Sequence, residues 1–185
     1  MVMVYTIGHS NHPWTRFAEL LNCAAIETLV DVRTHPRSRF SHFNQAALRG
    51  RLAASDIAYF YLGNDLGGRS SDGEIIDYDL AAQAAPFRHG MRLVEEMAGS
   101  TRLALMCSEH EPLACLRCLL IGRNLAERGV GVSNILRDSS IEPQTCTEER
   151  LLAIWKRSTH FNAVPEQCLA AAYRAQIVNL QRRAL

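Results

Sequence analysis

Leu103-Ala104-Leu105-Met106-Cys107-Ser108-Glu109-His110-Glu111-Pro112 holds the pattern on which the rest of the chain is organised. It opens as an apolar run suited to a buried strand and turns abruptly polar at Cys107. Leu113, Leu116, Leu119, Leu120 and Ile121 then recur at helical spacing, Pro112 suits a first helical position, and Gly129 closes the run after Ala126-Glu127-Arg128. The unit is strand, polar loop, helix. In an open α/β sheet such a loop lies at the carboxyl end of its strand, beside a helix N-terminus whose free N–H groups favour anions, and ligands bind there.

The same unit recurs upstream. Val2-Met3-Val4-Tyr5-Thr6-Ile7 reads as a first strand ending at Gly8-His9-Ser10-Asn11, and Pro13 opens a helix striped by Trp14, Phe17, Leu20 and Leu21. Thr28-Leu29-Val30-Asp31-Val32-Arg33 is a second strand that runs into a basic, aromatic loop from Thr34 to Phe43. Asn44 is placed to cap a helix carrying Ala47, Leu48 and Leu52, and Ile57-Ala58-Tyr59-Phe60-Tyr61-Leu62 is a third strand. The glycine- and serine-rich segment from Gly63 to Gly73 is a candidate mobile lid. Phe87, Met91, Val94, Glu95 and Met97 mark a helix, and Val130-Gly131-Val132-Ser133-Asn134-Ile135-Leu136 is a fifth strand.

This alternation predicts an α/β three-layer sandwich: a mostly parallel sheet of about five strands covered by helices on both faces. After Arg137, the run Asp138-Ser139-Ser140-Ile141-Glu142-Pro143 reads as a polar connector to two helices. The first carries Leu151, Leu152, Ile154 and Trp155; the second runs from about Pro165 through Tyr173 and Ile177 to Arg182-Arg183. This helical extension, about 138–185, packs on the sheet or on a second copy of the chain, which makes a homo-oligomer one expected partner. Residues 1–185 read as a single domain.

Composition narrows the function. The 185 residues are 48% hydrophobic and 21% charged, with a formal net charge of +1, so no overall field drives the chain onto nucleic acid or membrane. No apolar run approaches the ~20 residues that span a bilayer, and Met1-Val2-Met3-Val4-Tyr5 lacks a basic leader, so a cytoplasmic location without a membrane partner is expected. Six cysteines at this length point to reduced thiols.

The first four strands each end in unusual polar residues: Gly8-His9-Ser10, Asp31 with Arg33, Gly67-Gly68-Arg69, and Cys107 with Glu109. A parallel sheet brings all of them to one edge. Arg33, Arg37, Arg39, Arg69 and Arg117 fall in or beside these loops, and guanidinium groups grip phosphate or carboxylate bidentately. Arg33 and Arg117 have an internal alternative in Asp31 and Glu109. Gly8, Gly67 and Gly68 allow close backbone approach, while His9, Asp31, Cys107 and Glu109 are candidates for proton transfer or nucleophilic attack. His12, His35 and His42 join His9 in the first two loops.

Cysteine chemistry is the competing reading. Cys107 lies near an expected helix N-terminus, and Cys115-Leu116-Arg117-Cys118 has C-x-x-C spacing, although a full turn inside the expected helix. Cys107, Cys115 and Cys118 could hold a metal with Glu109 or His110 as a further ligand. Position 113 is Leu, which departs from the cysteine phosphatase loop. No Walker loop, dinucleotide fingerprint, HExxH or G-x-S-x-G occurs. A third reading uses the loop Arg37–Phe43 and the basic tail for nucleic acid, against which the near-neutral net charge weighs.

Taken together, Tyr5-Thr6-Ile7-Gly8-His9-Ser10, Asp31-Val32-Arg33 with Pro36, Ser38 and Arg39, Phe43-Asn44, Leu66-Gly67-Gly68-Arg69, and Met106-Cys107-Ser108-Glu109 with Cys115 and Arg117 resemble the bacterial and archaeal family catalogued as domain of unknown function 488. The resemblance covers about residues 3–137. It implies an α/β fold with the matched residues in one pocket, adding Ser10, Ser38 and Asn44 to the ligand-binding set, and it brings no established reaction or cofactor. Where the family usually reads Cys-His-Arg, this chain has Cys115-Leu116-Arg117, so a metal or acid/base role for that histidine has no residue here. The sequence therefore predicts a protein that holds a small anionic, phosphorylated or nucleotide-like ligand at the carboxyl edge of its sheet.

Overall fold

The computed structural model describes residues 2–68, 77–156 and 165–184. The apolar and aromatic runs form strands β1 (Met3–Gly8), β2 (Thr28–Asp31), β3 (Ala58–Tyr61), β4 (Leu103–Cys107) and β5 (Gly131–Ile135), and a short β6 (Ile141–Pro143) follows. They make one sheet in the order β3-β2-β4-β1-β5-β6, parallel throughout except for antiparallel β6. The fold is α/β with a mostly parallel sheet, as the alternation implies.

Handedness assigns the layers. From β1 to β2 through α1 (Trp14–Cys23), and from β2 to β3 through α2 (Gln45–Ala53), the chain steps toward one edge. It returns to β4 through α3 (Gly63–Leu66), α4 (Tyr78–Gln83) and α5 (Ala85–Ala98), then continues past β1 to β5 through the helical segment that ends in α6 (Arg123–Glu127). Right-handed crossovers that reverse direction must cover opposite faces. Accordingly Phe17, Leu20, Leu21, Leu48 and Leu52 pack with Tyr5, Ile7, Leu29, Ala104 and Met106. Phe87, Met91, Val94, Leu119 and Leu120 pack with Val4, Val30, Leu103 and Leu105. Helices α7 (Gln144–Lys156) and α8 (Pro165–Ala184) join this second face, where Leu151, Ala172, Tyr173 and Ile177 are buried. The C-terminal extension thus lies on its own sheet.

Two expectations need correction. The segment 138–143 is more than a connector. Ser140 donates from its backbone N (3.0 Å) and from Oγ (2.6 Å) to Asp138 Oδ1, and this turn sends Ile141–Pro143 back along β5 as the sixth strand. Three residues at a sheet edge carry too little alternation to be read in advance.

The helix after β4 is also interrupted. A 3-10 turn at Pro112–Ala114 is capped by the Glu111 carboxylate on Leu113 N (3.1 Å), Cys115 is extended at φ −139° and ψ 141°, and a π-helical segment, Arg117–Gly122, leads into α6. The C-x-x-C pair therefore opens the helix instead of lying a full turn inside it. Of the candidate lid, Gly63–Leu66 is helical and residues 69–73 lie outside the described residues. Among the described residues no helix is long and apolar enough to cross a membrane.

Leu105 is fully buried at the centre of the sheet. Leu105→Ala should lower unfolding free energy by about 2–5 kcal/mol, read as a shift in the urea midpoint at unchanged slope.

Candidate functional site

Strand β4 lies between β1 and β2, and the chain leaves it toward the opposite face from the one both neighbours take. Loops that diverge in this way leave a crevice at the carboxyl ends of the strands. Here the crevice is laced at its base. His9 N donates to Cys107 O (2.9 Å), Ser10 N to Ser108 O (2.8 Å) and Val32 N to Met106 O (3.1 Å). Gly8 is required at this point, because a Cβ there would overlap the Glu109 carbonyl. Ser10 adopts the left-handed region at φ 44°, a conformation uncommon outside glycine that recurs at functional sites.

Above this base is a cleft of about 630 Å³ lined by His9, Ser10, Asn11, Arg37, Ser38, Arg39, Phe40, Ser108, Glu109, His110 and Arg137. The β2 loop is shaped to reach it. Asn44 Oδ1 accepts from Ser38 N (2.8 Å), and Ser38 Oγ accepts from Phe40 N (3.1 Å). Asn44 precedes α2 as expected, but its side chain holds the loop instead of capping the helix. The Arg39 guanidinium sits 5.0 Å from the centroid of the Phe40 ring. Arg37, Arg39 and Arg137 are exposed, and among the described residues none of them pairs with a carboxylate.

Beneath the cleft, on the face covered by α1 and α2, Asp31 and Arg33 form a buried bidentate pair: Arg33 Nε donates to Oδ1 (2.9 Å) and Nη2 to Oδ2 (2.6 Å). Tyr59 OH also donates to Asp31 Oδ2 (2.9 Å), and Arg33 Nη2 to Phe43 O (3.0 Å). Burial, with the Asp31 charge beside it, raises the Tyr59 pKa. Arg33 Nη1 lies 3.2 Å from His9 Nε2. A guanidinium can only donate, so Nε2 accepts and the ring proton sits on Nδ1, which donates to Ser10 O (2.9 Å). The ring stacks on Phe43 with centroids 4.3 Å apart. Burial, reinforced by Arg33, pushes the His9 pKa down to about 4.

These partners revise three expectations. Both nitrogens of His9 are engaged and Asp31 is fully buried, so neither is placed to transfer a substrate proton. Arg33 belongs to the same buried group and shapes the loops, taking the internal alternative that the sequence left open.

The opposite face holds a second buried group. Arg117 is 0% exposed; its Nε donates to Thr6 Oγ1 (3.2 Å), Nη2 to His110 O (2.9 Å) and Nη1 to Glu109 O. Its partners are carbonyls of the β4 loop and not the Glu109 carboxylate, so it also does not face the cleft. Cys107 and Cys115 are buried beside it, and Cys107 Sγ lies 3.3 Å from Glu109 Oε2. The Cys107 thiol is pushed well up, first by its hydrogen bond with Cys115 and then by burial, which keeps it protonated and weakly nucleophilic at neutral pH. Cys118 is pushed up to about 12 by burial and lies against Gln144, with its Sγ 3.5 Å from Nε2.

Gly67 and Gly68 lie outside the cleft lining. A Cβ on Gly67 would crowd Gly63 O and Thr34, and one on Gly68 would meet Leu116 Cδ2 at 2.8 Å. They pack the chain after β3 against the β2 loop and the helix after β4. Leu116 fills its position as a packing residue. Arg69 lies outside the described residues.

From the candidate list the structure brings His9, Ser10, Ser38, Arg39 and Glu109 to one cleft and adds Asn11, Arg37, Phe40, Ser108, His110 and Arg137. Arg137 follows the carboxyl end of β5, so the rule applied to the first four strands would have found it had it been extended to the fifth.

A family model described as a domain of unknown function, DUF488, matches residues 13–123. No curated protein and no solved structure matches the chain.

Because folding lowers the His9 pKa from 6.5 to about 4, the unfolded chain binds the extra proton first as pH falls. The contribution is complete above pH 6.5 and is lost progressively toward pH 4, by about 3 kcal/mol in total. Denaturation of wild type and His9→Gln at pH 7 and pH 5 should show a smaller pH dependence in the variant; equal dependence would mean His9 titrates normally in the fold.

Proposed function

We propose, on the premise that this chain belongs to the DUF488 family, that the cleft at the carboxyl edge binds a small anionic ligand of the phosphorylated or nucleotide-like class. The observation that carries this reading is the convergence on one cleft of Arg37, Arg39 and Arg137, none of which forms an ion pair among the described residues, against the single carboxylate of Glu109 in the same lining. Paired surface arginines are ordinary; exposed arginines from two separate loops around a single concavity form a field that anions enter. Asn11, Ser38 and Ser108 supply uncharged partners. Phe40, partly exposed beside Arg39, offers a flat apolar surface for a ring carried by the ligand.

The reading concerns binding. His9, Asp31, Arg33 and Arg117 contribute by fixing the loops that present the cleft, and Gly8 by allowing the β1 and β4 loops to touch. A nucleic-acid reading is less supported, because Phe43 is fully buried against His9 and Phe17, which leaves Phe40 as the one phenylalanine of the loop open to a base.

Titration of inorganic phosphate, pyrophosphate and ADP into wild type and Arg39→Ala should show saturable binding that weakens roughly tenfold to hundredfold in the variant, the equivalent of about 1.5–3 kcal/mol for a charged hydrogen bond. Since Arg39 is exposed, the variant should keep its fold. Equal affinity in both proteins, or no binding of any of the three anions, would contradict the reading. Tighter binding of a single-stranded oligonucleotide than of any small anion would favour nucleic acid instead.

A further inference from the structure

The anion reading leaves one group of side chains unused. Cys107 Sγ lies 3.3 Å from Glu109 Oε2, the Cys115 thiol is hydrogen-bonded to Cys107, and one ligand atom from each of the three residues falls within 4.8 Å of the others. A tetrahedral site with bonds of about 2.3 Å to sulfur and about 2.0–2.2 Å to oxygen needs ligand atoms about 3.5 Å apart. The cluster is already close to that size. Cys118, the third cysteine at suggestive spacing, is engaged with Gln144 and lies outside the group. The two thiols are buried while Glu109 is exposed and forms part of the cleft wall. An ion therefore has an entry path on the Glu109 side.

We propose that Cys107, Cys115 and Glu109 form a three-ligand site for a soft divalent cation such as Zn²⁺, with its fourth position open toward the cleft. Binding releases two thiol protons to solvent and leaves two thiolates, one carboxylate and one dication. With the adjacent buried guanidinium of Arg117, that set is electrically neutral, which removes the cost of isolated buried charge. Two thiolates select a thiophilic ion over Mg²⁺ or Ca²⁺. Three protein ligands with one open position is the arrangement of metal sites that take an exchangeable water or an anion. The site differs from the set read from sequence by leaving out Cys118 and by taking Glu109, not His110, beside the two remaining cysteines. It does not depend on the anion reading, because the metal alone is the probe.

Chelator competition with Zn²⁺ and absorption after Co²⁺ addition test the site in the full chain. The expected result is one equivalent bound with a thiolate-to-cobalt band, an affinity that rises with pH as the thiol protons are displaced, loss of the band in Cys115→Ser and its retention in Cys118→Ser. Glu109→Gln, whose side chain is exposed and whose fold is checked by circular dichroism, should bind at least about tenfold more weakly and decides the matter if Cys115→Ser fails to fold. Absence of the band in wild type, its persistence in a folded Cys115→Ser, or unchanged affinity in Glu109→Gln would overturn the proposal.

Discussion

A guanidinium carries a permanent charge and five donors, and burying one is tolerable only where acceptors are fixed in advance. Arg117 sits under the carboxyl edge with its donors on Thr6 Oγ1 of β1 and on the carbonyls of Glu109 and His110. Those three acceptors set where the loop after β4 must run. The loop in turn lies on Gly8 and hydrogen-bonds to the start of the β1 loop, so the position of Ser10 and the floor of the cleft follow from one buried charge. The network continues outward. Thr6 Oγ1 donates to Asn134 Oδ1 (2.7 Å), Asn134 Nδ2 to Thr147 Oγ1 (2.9 Å), and Gln144 Nε2 to Tyr173 OH (2.8 Å). The two C-terminal helices are thereby tied to the sheet face they cover.

A second buried ion pair, Asp31 with Arg33, does equivalent work on the other face. It fixes His9 through Nε2 and the β2 loop through Phe43 O. The cleft thus rests on two internally satisfied charged groups, one on each side of the sheet, while Arg37, Arg39 and Arg137, exposed at the cleft, form no ion pair among the described residues. Buried charge shapes the cleft, and in the proposed reading exposed charge is left for the ligand. That division follows from desolvation, which makes a buried guanidinium unavailable to anything but its built-in partners.

Much of the fold was legible because short apolar strands ending in sudden polarity, separated by helical periodicity, have few other solutions. β6 was not, since Ile141-Glu142-Pro143 lacks both length and alternation. The helix after β4 read as continuous because Leu113, Leu116 and Leu119 keep helical spacing across the break at Cys115. At the candidate site, the strand-end rule picked out the edge and the loops that line the cleft. It could not separate Arg33 and Arg117 from Arg37 and Arg39, because sequence shows which residues reach an edge and not how deeply each side chain is buried. Asn44 misled for a related reason: an N-cap position and a loop-closing acceptor look alike until Ser38 N is seen beside its oxygen. Depth in the fold, more than residue type, decided which arginines remain available.

Loops from β1, β2, β4 and β5 are proposed to form one anion-binding cleft. Backbone amide chemical shifts recorded while pyrophosphate is titrated into isotope-labelled protein test this. Saturating shifts confined to Ser10–Asn11, Arg37–Phe40, Ser108–His110 and Arg137, with one shared affinity, are the predicted result. Shifts that scatter over the surface without saturating, or that leave these four segments unmoved, would contradict it.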